Sequence, residues 1–139
     1  MNIANWLDES GLRFPKRPAL FEGQQVANYG AFVALVRHRA AYLIDEHAIA
    51  PGDRVALFMK NFCKYLELLY AIWWAGSVAV PINCKLHPVE AGWIVRNAQA
   101  RLLYTSSTTD GIKGVMLSHG YPDGHVTGLF ARRRSARRR

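Results

Sequence analysis

An α/β fold, a layered sheet with flanking helices, is what the sequence predicts, and three observations predict it. Segment 29–47 carries apolar residues at three- and four-residue steps, as an amphipathic helix does. Segment 54–59 is a nearly unbroken apolar run of strand length, as expected of a strand covered on both faces. A helix-then-strand alternation then recurs twice before residue 104, the pattern of an α/β protein.

The elements follow in chain order. Asn2 to Ser10 predicts a short helix, and the prolines of Phe14-Pro15-Lys16-Arg17-Pro18 force extended backbone after it. Ala19 to Ala27 predicts a hairpin, with short apolar runs flanking the turn Glu22-Gly23-Gln24. In the helix of 29–47, Phe32, Leu35, Val36, Ala40, Leu43 and Ile44 form the apolar stripe, while Arg37, Arg39, Asp45 and Glu46 fall off it. Pro51-Gly52-Asp53 makes a turn into the strand Arg54 to Met59.

Asn61 to Ala75 is apolar or aromatic around most of a helical circumference, so neighbours must cover it, and part of that cover is expected to be missing. Ser77 to Pro81 reads as a second buried strand, Pro88 to Ala98 as a helix opened by proline, and Arg101 to Tyr104 as a short third strand. No internal repeat interrupts this order.

With 139 residues, half of them hydrophobic, the chain can bury one core and is short for two substantial domains. Its net charge of +8 is concentrated at the end: six arginines in ARRRSARRR (131–139) leave +2 for residues 1–130, so the body is nearly neutral. The tail is expected to be disordered. Cys63 and Cys84 lack any metal-ligand or CxxC spacing and read as buried, reduced thiols, which suits a reducing, cytoplasmic compartment. The N-terminus has no basic start followed by an apolar stretch, so a mature chain beginning near Met1 is expected. Phe62 to Ile82 is too interrupted, by Lys64, Glu67, Gly76 and Pro81, to span a bilayer.

Chemistry concentrates at 104–114. Thr105, Ser106, Ser107, Thr108 and Thr109 are followed by Gly111, Lys113 and Gly114: short donors, permissive backbone and one cation. Such a run can wrap an anion, with hydroxyls and amides directed at phosphate oxygens and the lysine offsetting their charge. It is neither a Walker loop nor a dinucleotide fingerprint, because GxxxxGK[ST] and GxGxxG are both absent.

The order of these residues, YTSSTTDGIKGVMLSH from Tyr104 to His119, resembles the phosphate loop YTSGTTGxPKGVxxSH of adenylate-forming (AMP-binding) acyl-CoA ligases. PGDRVALFMKN at 51–61 and AGSVAVPINCKLHPVEAGWIVRNAQAR at 75–101 are similar to that family's N-terminal subdomain. The resemblance implies a partial N-terminal subdomain over 1–103, a phosphate-loop segment over 104–120 and a tail over 121–139. In intact relatives it implies activation of a carboxylic acid by ATP and Mg2+ to an acyl-adenylate, then transfer to CoA, as in fatty acid metabolism. Thr105, Ser106, Thr108, Thr109 and Lys113 would face phosphate, with Ser107, Gly111 and Gly114 completing the loop.

Departures matter too. Ser107 and Asp110 replace family glycines and Ile112 replaces a proline. A side chain at a left-handed position costs on the order of 1 kcal/mol, and a carboxylate at 110 repels polyphosphate, so weak or absent ATP binding is expected. The family's long segment before the YTS loop is missing between Leu103 and Tyr104, as an internal deletion would leave it. After Gly120 the resemblance ends, so no residue matches the adenine and ribose contacts, the magnesium-associated glutamate or the catalytic lysine. Reading out of frame after Gly120 would account for the arginine-rich end. The expectation is a truncated relative without catalysis of its own.

Other clusters read blandly. His119, Asp123 and His125 could be drawn into a metal site but have no supporting residues. Trp73, Trp74 and Trp93 could line an acyl pocket but sit at core-packing spacing, and His38, His47 and His87 read as surface or helix-end residues. Two alternatives stay open: a small basic protein binding nucleic acid or anionic surfaces non-specifically through 132–139, and an interaction module using an exposed sheet or helix.

Overall fold

A computed structural model describes residues 2–60, 62–107 and 111–117, with backbone alone at 107, 111 and 112. Thr108, Thr109, Asp110, the His119/Asp123/His125 cluster and the arginine tail lie outside the described residues. The chain forms two compact units, one of residues 1–53 with Lys60–Ala79 and the other of Arg54–Met59 with the chain from Val80 onward.

The first unit opens with α1 (Ala4–Arg13), then the antiparallel hairpin β1 (Pro18–Glu22) and β2 (Gln25–Asn28), then α2 (Tyr29–Asp45) and α3 (Cys63–Trp74). Asn28 ends the hairpin and starts the helix: its side-chain oxygen accepts the Ala31 N–H at 2.8 Å, satisfying one of the free amides of the first turn. The buried stripe of α2 is Phe32, Val33, Val36, Ala40 and Leu43. Leu35 and Ile44, placed on the stripe from the sequence, are exposed, because the face turns far enough to bring Val33 inward.

Helix α3 buries Leu68, Ala71, Ile72 and, unexpectedly for a carboxylate, Glu67. Arg39 of α2 reaches it, Nε to Oε2, at 2.7 Å. The sequence left Arg39 off the packed face, whereas it is half-buried against α3. The N-cap Phe62 offers no side-chain acceptor, and Glu22 of β1 supplies one, accepting the Cys63 N–H at 3.3 Å. At the other end Gly76 adopts φ 75°, and its amide and that of Ser77 donate to the carbonyls of Trp73 and Ile72, the Schellman arrangement that stops a helix.

Packing explains two tryptophans: Trp73 meets Tyr70 edge-on at 5.2 Å, Tyr70 meets Phe32 at 5.6 Å, and Trp74 lies under the Arg37 guanidinium. Trp93 departs from the core expectation and is 59% exposed. The cysteines also differ from expectation, since both are free but Cys84 is exposed and Cys63 half-buried at the first turn of α3. Partial burial, then the neighbouring Glu22 and Glu67 carboxylates, push the Cys63 thiol up from its ordinary pKa, so it stays protonated. Among the described residues no helix is long and apolar enough to cross a membrane.

The second unit carries β3 (Arg54–Phe58), α4 (Pro88–Asn97), β5 (Leu102–Ser107) and β6 (Gly111–Met116). With β4 (Val78–Pro81) the strands form one sheet in the order β4-β3-β5-β6. β3 and β5 are parallel, Val55 opposite Leu102 and Phe58 opposite Thr105. The amides of Val78 and Ile82 donate to the carbonyls of Asp53 and Leu57, the even spacing of another parallel pair. β4 is not the buried strand the sequence suggested, since Val78 and Pro81 are exposed and it lies at the sheet edge, where a proline without an N–H is tolerated.

Helix α4 covers one face of the sheet. Ala91 and Val95 pack with Ala56 and Phe58 of β3 and Leu103 of β5, joined by Ile82 and Ala100. The helix starts at His87, whose Nδ1 accepts the Val89 N–H at 3.2 Å while Glu90 Oε2 accepts the His87 N–H at 3.0 Å, and Pro88 occupies the first turn. It stops at Gln99, a non-glycine residue at φ 52°, with the Ala100 amide closing onto the Val95 carbonyl.

Candidate functional site

Strand order decides where a site can form. β3 comes first in the chain, β4 lies on one side of it and β5 on the other, so the connections diverge between β3 and β5. In open parallel sheets such a point leaves a crevice at the carboxyl ends of the strands, a preferred place for ligands. The carboxyl end of β5 is the run Thr105-Ser106-Ser107.

The sequence predicted a third strand ending at Tyr104 and a loop after it. Instead β5 continues through Ser107, and β6 returns antiparallel beside it, pairing Tyr104 with Gly114, Thr105 with Lys113, Ser106 with Ile112 and Ser107 with Gly111. The junction between Leu103 and Tyr104 thus lies inside one uninterrupted strand. Thr105 stands between strands on both sides, opposite Phe58 and Lys113. Ladder bonds on both sides use the backbone groups of β5 there, so its amides are not free to wrap an anion.

Alternation sorts the candidate side chains by face. Leu103 and Thr105 share the face of α4 with their partners Val115 and Lys113, while Ser106 turns to the opposite face. The structure therefore brings Thr105 and Lys113 directly opposite each other and separates them from Ser106. Ser107 is accommodated in extended backbone, so the left-handed strain expected for its side chain does not arise at this position. Lys113 is exposed and Thr105 half-buried, placing a cation and a hydroxyl side by side at the carboxyl end of β5. Together they can hold an anionic oxygen between an ammonium and a hydroxyl donor.

Gly114 has a structural reason to be glycine that the motif alone does not reveal. A Cβ there would sit 2.9 Å from Tyr104 Cε1 and 3.4 Å from Leu102 Cδ1, and the Tyr104 ring is buried. Gly114→Ala is expected to lower stability by about 1 kcal/mol, because overpacking at this contact outweighs the backbone entropy that alanine saves. Urea denaturation checks it; unchanged or raised stability would mean that the ring yields and that glycine is not required for packing.

Among the described residues no three His, Cys, Asp or Glu side chains gather where they could hold an ion. The nucleic-acid reading of 132–139 likewise receives no support, and that segment is outside the described residues.

Comparison with known proteins agrees with the geometry. The family described as AMP-binding enzyme matches residues 7–104, ending at the residue where the phosphate-loop motif begins. A crotonobetaine/carnitine–CoA ligase from Salmonella paratyphi B is 31% identical over 105 residues, which is 73% of this chain and 20% of the ligase. The chain therefore spans one fifth of that relative's length. A fatty acyl CoA synthetase from Mycobacterium tuberculosis superposes with TM-score 0.70 at 31% identity, over 75% of this chain and 21% of that one. The o-succinylbenzoate CoA synthetase from Bacillus subtilis, solved with an acyl-adenylate intermediate, superposes with TM-score 0.72 at 25% identity, over 76% and 28% of the two chains. Solved N-terminal domains of such enzymes share the same architecture, as in another Mycobacterium tuberculosis structure at TM-score 0.71 and 31% identity. Profile, relatives and fold agree, and on that agreement the chain belongs to the adenylate-forming AMP-binding enzyme family.

Proposed function

We propose that the chain carries a phosphate-contacting hairpin inherited from ATP-dependent acyl-CoA ligases and, by itself, catalyses no ligation. The observation that carries this reading is the placement of Thr105 and Lys113 opposite each other at the carboxyl end of β5, beside the β3/β5 divergence. In the full reaction of such ligases a carboxylic acid, fatty acids included, is activated by ATP and passed to CoA. Of that chemistry this chain offers hydroxyl and ammonium donors for phosphate. The described residues fit a nucleotide phosphate but lack a carboxylate cluster for Mg2+. A role in the cytoplasm is part of the proposal, as is the division into a subdomain over 1–103, a phosphate segment over 104–120 and a tail.

Asp110 precedes Gly111 in the sequence and carries the same sign of charge as a polyphosphate, and Ile112 replaces the family proline. Calorimetric titration with ATP-Mg is expected to show affinity weaker than micromolar. Asp110→Gly, which removes that charge, should strengthen it, with pyrophosphate exchange still absent. Micromolar binding by the unaltered chain, or no gain in the Asp110→Gly variant, would count against the reading.

A further inference from the structure

We infer that the turn joining α1 to β1 is a docking patch for an anionic lipid surface. It goes beyond the phosphate-hairpin reading and uses none of its residues. The turn gathers three cations, Arg13, Lys16 and Arg17, all exposed and none with a carboxylate partner among the described residues. Two of them are held on one aromatic ring: the Arg17 guanidinium lies 4.3 Å and that of Arg13 5.4 Å from the centre of Phe14. Stacking on a ring leaves the N–H edges of a guanidinium free to donate to phosphate or carboxylate oxygens.

The backbone fixes this arrangement. Phe14 N–H donates to the Ser10 carbonyl at 2.9 Å, Arg17 N–H to Phe14 at 3.0 Å, Tyr29 N–H to Arg17 at 3.0 Å and Gly30 N–H to Pro15 at 2.9 Å. Pro15 within the turn and Pro18 at the start of β1 restrict it further. The cations are thus presented on a pinned turn, with little backbone entropy left to lose on binding.

Apolar side chains stand beside them. Leu12 is 75% exposed, Trp6 59% and Phe14 37%. On α1, Trp6 and Arg13 are seven residues apart and so lie along one line of the solvent face, with Glu9 beside them, while Asp8, one turn before Leu12, is paired with Arg37. Cations at phosphate level with tryptophan and leucine entering the headgroup boundary are the requirements of an anionic lipid surface. Nucleic acid fits less well, since guanidiniums already cover the Phe14 ring that would stack on a base, and Leu12 offers a base or phosphate no specific contact.

The test uses the full-length chain with the arginines at 132–134 and 137–139 changed to glutamine, so that the tail contributes no binding of its own. Sedimentation with phosphatidylcholine vesicles, with and without phosphatidylserine, should show binding only when the anionic lipid is present. Arg13→Gln/Lys16→Gln/Arg17→Gln is expected to weaken it about a hundredfold, about fivefold per charge. Leu12→Asn should weaken it at unchanged charge, and brominated lipid should quench fluorescence in a way that Trp6→Phe abolishes. Equal binding by the triple variant, indifference to Leu12→Asn, or an effect of the triple variant on RNA binding with vesicle binding intact would each overturn the inference. All these side chains are exposed, so circular dichroism of the variants should match the parent.

Discussion

Leu103→Ala is expected to lower stability by about 2–5 kcal/mol, the range for removing a fully buried leucine from a core that relaxes only in part. Leu103 has no exposed surface and packs in the cluster that joins α4 to the sheet. It lies between Ala56 of β3 and Val115 of β6, so the loss falls at the middle of the sheet. Against a typical total of about 5–15 kcal/mol this is a large share, equivalent to a fall in Tm on the order of 10–30 °C for a domain of this size. Thermal and urea unfolding should agree. Val115→Ala, half-buried on the edge strand, is the control and should cost much less; equal losses at the two positions would show that the cluster is not the centre of the unit's stability.

Arg39→Met is expected to destabilise by about 2 kcal/mol. Its partner Glu67 has a side chain only 10% exposed, so removing the guanidinium leaves a desolvated carboxylate with its main partner gone. A fully buried pair broken in this way loses about 3–5 kcal/mol, and the 31% exposure of the Arg39 side chain lowers the figure here. Arg39→Met/Glu67→Leu should recover most of the loss, because a hydrophobic pair of similar volume carries no desolvation penalty. Urea midpoints of the two single variants and the double variant form the cycle. A double variant no more stable than Arg39→Met would show that the loss comes from packing of the arginine stem rather than from an orphaned charge.

The Arg39–Glu67 pair also shows where a linear reading stops. Periodicity placed Arg39 outside the apolar stripe of α2, and a half-buried arginine leaves no trace in that pattern, because its partner is on another helix. The same holds for Glu22, a strand residue that caps α3, and for Gln99, which closes α4 where no glycine marks the stop. In each case the partner or the strained backbone is set by an element distant in sequence or by the closure of the chain on itself.

At the candidate site the motif supplied the residue types but not their geometry. Threonine and serine were read as loop formers, yet threonine fits a pleated strand as well as a turn, and pairing with β3 and β6 decided between the two. Strand alternation then joined Thr105 to Lys113 and parted both from Ser106, a division that hydroxyl composition cannot express. Gly114 likewise answers to the ring of Tyr104 across the ladder.

By itself the sequence determined the family and the order of helices and strands through Tyr104, because apolar periodicity and capping residues are local properties. Only the tertiary structure decided that the hydroxyl run extends β5, that β4 is an edge and that Arg39 and Gly114 are packing residues. Those outcomes depend on which strands pair and which side chains meet across them, and such contacts are made between residues far apart in the chain.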